Sequence, residues 1–268
     1  MVGALPSLTS AQAALIRVLL QDKRVRAQEG VFVLEGAKAC LECICRYPES
    51  VISLTVSSSY LQSEHETGRT IRNSLKARQF SCTDVFFEKI SDLPSPQGIL
   101  GVVRMPHCDE KQVWQHTQVL GIYGETIRDP ANVGAIIRTA AGLNITALWL
   151  SSDSADCFNP KVVRSTAGAI FGLPIFYCVG FPAFHEHHCS VYSAVLPSSD
   201  SISLRSIKSI TRRAVVAVGN EGHGLKAETL RKSQVRFSIP LARTVESLNV
   251  SATVAISAFY MSGLPVEM

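Results

Sequence analysis

No apolar run among the 268 residues approaches the roughly 18 needed to cross a bilayer. Nor does a basic stretch followed by an apolar segment open the chain, as a secretory signal would require. A soluble, cytoplasmic protein with reduced thiols and no membrane partner is therefore expected. Charged residues are sparse, at 18% against 46% apolar ones, which excludes intrinsic disorder and supports a sizeable core. No block of one sign stands out. Residues 1–105 hold 12 Lys/Arg and 10 Asp/Glu, and residues 106–268 hold 14 and 12, so each half carries +2 of the net +4. Any polyanion site must then be a local patch. Internal repeats and low-complexity tracts are lacking. Two nucleotide signatures are lacking as well: no G-x-G-x-x-G follows the first strand-like run, and no G-K-[ST] occurs. Their absence argues against a dinucleotide oxidoreductase and a P-loop enzyme.

Cysteine is not scarce, with eight residues. "CLECIC" brings Cys40, Cys43 and Cys45 close together, but a zinc site needs a fourth ligand and usually a second paired knuckle. The three also fit the apolar positions of a helix, where free cysteine behaves as a small hydrophobe, so a core role is expected. "HEHHC" (185–189) reads as a solvated loop, because adjacent residues seldom converge on one metal. No metal is expected.

Along the chain, residues 8–28 read as a basic-ended helix, "VFVLEG" as a strand, "AKACLECICRYP" as a helix stopped before Pro48, and "VISLTVS" as a strand. "DVFFEKISDL" reads as a strand or short helix and "GILGVVRMP" as a strand. Residues 1–105 thus suggest a small α/β domain, and the polar stretch 106–118 a linker. From 119 to 268 apolar strands ("VLGIYG", "ALWL", "IFYCVG", "VYSAVL", "AVVAVG", "RFSIPL") alternate with helical patterns, "NPKVVRSTAGAIFGLP" among them. That alternation predicts a parallel sheet covered by helices on both faces.

Three segments carry the chemistry. The loop "GNEGHGL" (219–225) follows a buried strand. A phosphate cradle offers backbone N–H groups and no nearby carboxylate, whereas Glu221 would repel phosphate. The glycines would let backbone approach a neutral or cationic ligand; a tight βα turn with a capping acid accounts for the loop as well. In "RDPANVGAIIRTA", Asp129 or Asn132 can cap a helix, and Arg138 sits on an otherwise apolar face. It reads either as a snorkelling surface residue or as a functional cation. In "IPLARTVESLNVSATVA", Ser247 and Asn249 precede a long apolar helix that either could simply cap.

Taken together and in this order, the three segments resemble the SpoU–TrmH family of the SPOUT superfamily, S-adenosylmethionine-dependent RNA 2′-O-ribose methyltransferases. The match rests on Asn132, Gly134 and Arg138, on Gly219, Glu221, Gly222 and Gly224, and on Ile239, Pro240, Ser247, Leu248, Asn249, Val250 and Ser251. It covers 120–268 well, and "FVLEGAKA" and "PQGILGVV" more loosely resemble the family's accessory RNA-binding domain. The resemblance implies a trefoil knot in the 119–268 domain, a homodimer, and S-adenosylmethionine near Leu196, Gly219, Asn220, Ile239 and Leu248. It implies catalytic roles for Asn132, Arg138, Glu221, Ser247 and Asn249. A guanidinium is a poor base, so Arg138 is expected to grip phosphate and developing alkoxide charge. Glu221 would orient Arg138 or face the cationic cofactor. For RNA, Lys23, Arg24 and Arg26 form a local basic patch, joined by Arg17 on the same helix and by Arg164 in the helical segment after 158. Ribosomal RNA is favoured by the accessory domain. Transfer RNA, or a non-catalytic RNA-binding or assembly role, are the alternatives.

Overall fold

The computed structural model describes residues 5–267. They form two compact units: the residues up to Pro106 with Phe158–Gly168, and His107–Cys157 with the residues from Ala169 onward.

In the first unit, Thr9 and Gln12 close a reciprocal cap at the start of α1 (Ser10–Gln21). The single helix expected over 8–28 is two. Asp22 takes an extended conformation and caps α2 (Lys23–Glu29) by accepting from the Arg24 N–H at 2.7 Å, because a short carboxylate competes with the helix for backbone donors. Then follow β1 (Val31–Glu35), α3 (Ala37–Arg46), β2 (Val51–Ser57), α4 (Ser58–Ser63), α5 (Glu66–Ser74), β3 (Arg78–Cys82), α6 (Asp84–Glu88) and β4 (Ile99–Arg104). The sheet order is β1-β4-β2-β3, with β4 antiparallel to both neighbours and β2 parallel to β3. The sequence does not announce α4, α5 or β3. In α5 the buried positions include Gly68 and Arg72, and Arg72 donates to the buried Glu64 at 3.0 Å, so a paired charge stands where an apolar residue would have marked the inner face. On α3, Cys40 and Cys43 are buried as expected of core cysteines, but Cys45 is exposed: it is two residues past Cys43, and 200° of helical turn puts it on the outer face.

The segment 106–118 is not a free linker. It holds α7 (Glu110–Val113), and Val113 and Trp114 are buried in the second unit's core, with Trp114 stacked 5.3 Å from Trp149. Two large apolar residues outweigh the polar composition around them. Next come β5 (Val119–Gly124), α8 (Pro130–Gly142), β6 (Ala147–Ser151) and α9 (Pro160–Thr166), which packs on β1 within the first unit. α9 is shorter than its sequence pattern, since Ala167 and Gly168 turn left-handed, at φ 49° and 84°. Strands β7 (Ile175–Cys178), β8 (Ser190–Ala194), β9 (Ile202–Ser203) and β10 (Arg213–Val218), helix α10 (Ala227–Lys232), strand β11 (Val235–Ser238) and helix α11 (Val250–Ser262) complete the unit. Its seven strands, ordered β7-β6-β5-β10-β8-β11-β9, are all parallel, as the alternating pattern predicts. No helix among the described residues is long and apolar enough to cross a membrane.

Candidate active site

Parallel strands place all their C-terminal ends along one edge, and ligands of such sheets bind in the crevice there. At the ends of β8, β10 and β11 lies a cavity of about 420 Å³. Its lining includes Leu196, Gly219, Asn220, Ile239 and Leu248, which brings together every residue expected to contact the cofactor. The loop after β10 closes on itself: Asn220 and Gly224 exchange backbone hydrogen bonds at 3.1 and 2.8 Å. That closure requires glycine at 219, where a Cβ would lie 2.1 Å from the Gly224 carbonyl carbon. Among the described residues, the lining holds Glu221, Glu246 and His223 and no lysine or arginine. An apolar wall with carboxylates suits a ligand that is largely apolar and cationic, such as a sulfonium with an adenosyl group, and opposes a phosphate.

Beside this cavity three polar side chains from distant parts of the chain meet. Asp129 caps α8, accepting from the Ala131 N–H at 2.9 Å, with Pro130 pre-setting the first turn. This leaves Asn132 free to point out of the first turn. Its amide donates to Glu221 Oε1, and its Oδ1 accepts from Asn249 Nδ2 at 2.9 Å. Asn249 is itself the cap of α11, its Oδ1 accepting from the Ser251 N–H at 2.8 Å. One amide therefore joins the mouths of two packed helices to the glycine loop.

Residues 120–259 match the model of the SpoU rRNA Methylase family, and residues 16–101 match that of the MRM3-like substrate binding domain. The chain belongs to the SpoU rRNA methylase family. It is 28% identical to the 23S rRNA (guanosine(2553)-2′-O)-methyltransferase RlmP of Bacillus subtilis, over 91% of this chain and 93% of that protein. A TrmH-family protein from Porphyromonas gingivalis superposes with a TM-score of 0.76 at 28% identity, covering 94% of this chain and 97% of the other. The methyltransferase AviRb of Streptomyces viridochromogenes, solved in complex with AdoMet, shares the fold with a TM-score of 0.80 at 20% identity, over 95% and 97% of the two chains.

In this SpoU family member the expected site residues fall into two groups. Asn132, Glu221 and Asn249 form the hydrogen-bonded set, and Ser247 lines the cavity. Ser247 is not the helix cap; Asn249 holds that position. Arg138 stands apart from them. It is exposed, six residues further along α8, and among the described residues its side chain has no hydrogen bond or ion pair. Glu221 bonds Asn132 and, at 3.5 Å, Asn220, so it does not orient Arg138 within the chain. Of the basic patch, Lys23 and Arg24 are exposed, but Arg26 is 2% exposed and donates to the Leu19 carbonyl at 2.6 Å. It satisfies the carbonyl end of α1, a use of arginine invisible in composition. Arg164 pairs with Asp92 at 3.1 Å and is half-buried, so its charge is already matched.

Sequence reading missed Glu125, a carboxylate only 3% exposed just after β5. It accepts from the Lys226 N–H at 2.6 Å and the Thr229 hydroxyl at 2.8 Å. The Tyr123 hydroxyl donates to it at 3.4 Å; burial, reinforced by that carboxylate, pushes the Tyr123 hydroxyl well above its usual range. A signal was available, in that "YGETI" puts an acid directly behind an apolar central strand.

Proposed function

We propose that this chain transfers a methyl group from S-adenosylmethionine to a ribose 2′-hydroxyl in ribosomal RNA. The observation that carries this reading is the meeting of Asn132, Glu221 and Asn249 beside a cavity whose described lining holds two glutamates and no lysine or arginine. The match of 16–101 to a substrate binding domain, and a relative named for 23S rRNA 2′-O-methylation, support RNA of that class. The AviRb complex supports the cofactor. When bound, S-adenosylmethionine supplies a methyl group activated on a sulfonium. Leu196, Ile239 and Leu248 would hold its apolar part, and the backbone of Gly219 and Asn220 its polar edges. Asn132, Asn249 and Ser247 orient the ribose, so that positioning supplies much of the rate. Arg138 binds the adjacent phosphate through its guanidinium and stabilises the developing alkoxide, while that phosphate or a water takes the 2′-hydroxyl proton. Glu221 holds Asn132 and adds negative charge beside a cationic ligand. Lys23 and Arg24, with Arg17, contact phosphate without reading sequence.

Two features of assembly belong to the same proposal. The stretch 195–212 leaves β8, pairs outside β11 as β9, and returns to β10 on the other side of β8. The C-terminal helix and the tail after it bond to this stretch, through the Tyr260 hydroxyl of α11 to the Ile207 carbonyl at 2.9 Å and the Glu267 N–H to the Ile210 carbonyl at 2.8 Å. This course supports the threaded, knotted path of the family. A homodimer formed over α11 is supported by its exposed Ile256 and Phe259. The test is to map 2′-O-methyl positions in ribosomal RNA from cells with the chain, without it, and with Arg138→Ala. One position should vanish in the latter two, while purified Arg138→Ala keeps S-adenosylmethionine affinity close to wild type. Equal loss of methylation and cofactor affinity would sink the role of Arg138.

A further inference from the structure

The glycine loop is held at both ends by one dipeptide, Glu125–Thr126, that does not line the cavity. At the entry, Asn220 Nδ2 donates to the Thr126 carbonyl at 3.1 Å. At the exit, the Lys226 N–H and the Thr229 hydroxyl each donate to a different oxygen of Glu125, at 2.6 and 2.8 Å. The Glu125 N–H donates to Val218 at 2.9 Å, which ties the dipeptide to the strand that launches the loop. A carboxylate this buried is costly unless its oxygens are bonded, and here both are.

Thr126 gives an independent sign. Its φ is 58°, a left-handed conformation that a β-branched residue rarely takes. Such backbone persists where the surroundings over-determine it, and these sites cluster at functional loops. The Thr126 N–H donates to Ser151 Oγ at 2.6 Å, and its hydroxyl donates to Asp153 at 3.0 Å. Asp153 also pairs with Lys226 Nζ at 3.7 Å, a second tie to the loop exit.

We infer that Glu125 is a positioning residue for the cofactor: it sets the Gly219–Leu225 backbone against S-adenosylmethionine without touching it. The inference rests on reading that loop as the cofactor site. A neutral amide at 125 keeps the size: its oxygen can still accept from the Lys226 N–H, but its NH2 must face the Thr229 hydroxyl, which then accepts instead of donating, and the charge assistance of both bonds is lost. The loop then loosens while Asn132, Asn249 and Arg138 stay in place.

The experiment titrates S-adenosylmethionine into the full chain by calorimetry and measures methylation of unmodified ribosomal RNA. Glu125→Gln should raise the Kd and KM for S-adenosylmethionine about tenfold, with KM for RNA and kcat at saturation unchanged. Thr229→Val, which removes only the hydroxyl bond, should raise them about threefold. Wild type that binds no S-adenosylmethionine would overturn the cofactor reading itself. Wild type that binds, with both variants unchanged in KM for S-adenosylmethionine, overturns the positioning role alone. A fall in Tm and kcat with that KM unchanged overturns it too, as a purely structural residue would behave so. Should Glu125→Gln fail to fold, Thr229→Val decides.

Discussion

Glu35 shows how one buried group sets a pH dependence. It is 7% exposed at the end of β1; Ser91 donates to Oε1, and Oε2 is buried with no hydrogen-bond partner among the described residues. Burial raises its carboxyl above the usual range, opposed by the Ser91 hydroxyl, the Asp92 backbone N–H and the charge of Arg164. Because the folded value lies above the unfolded one, the stabilising contribution is complete below the unfolded value and is lost as pH rises through the folded one. Glu35→Gln is neutral throughout. Its Tm relative to wild type should therefore climb as pH rises above the ordinary carboxyl value of 4.5, measured by paired thermal melts. A difference that falls over that range contradicts the assignment. Nothing in "VFVLEG" distinguishes this glutamate from a surface one; the sheet and Ser91 make the difference.

At the scale of elements, α8 and α11 are joined through their first turns. Asn249 caps one and bonds Asn132 of the other, so cap and site share a side chain. Asn249→Ala should cost about 1 kcal/mol of cap energy, lowering Tm by about 2–4 °C. Asn249→Ser can cap but is too short to hold Asn132. It should restore Tm in calorimetry without restoring methylation; recovery of both would reduce Asn249 to a cap. The helices and strands themselves were mostly legible, since their apolar periods are written locally. The exceptions share a cause. In α5 a Glu64–Arg72 pair stands in for apolar contact, and in 106–118 only Val113 and Trp114 face inward, too few for a period.

For the whole molecule, α11 leaves Phe259 71% and Ile256 41% exposed beside an apolar groove that includes Leu204, Pro240 and Leu241. Scattered surface apolar residues are ordinary, but a continuous patch of this kind marks an interface. Under the proposed self-association, Phe259→Asp should shift the sedimenting species from dimer to monomer and reduce methylation, with little change in Tm. A monomeric wild type, or an unchanged dimer in the variant, counts against that face.

The sequence by itself determined the parallel sheet, the positions of the three site segments and the likeness to a methylase family. These depend on residue periods and on motifs that are contiguous in the chain. Only the tertiary structure decided that Asn132 meets Glu221 and Asn249, that Arg138 stands outside this set, that Arg26 closes a helix instead of facing solvent, and that Glu125 stands behind the glycine loop. Those partners lie 89, 117 and, for Glu125 with Lys226, 101 residues apart. The physical reason is burial: a polar side chain's role is fixed by which donors and acceptors the packed elements leave around it, and that surrounding exists only once the sheet has brought its strand ends to one edge.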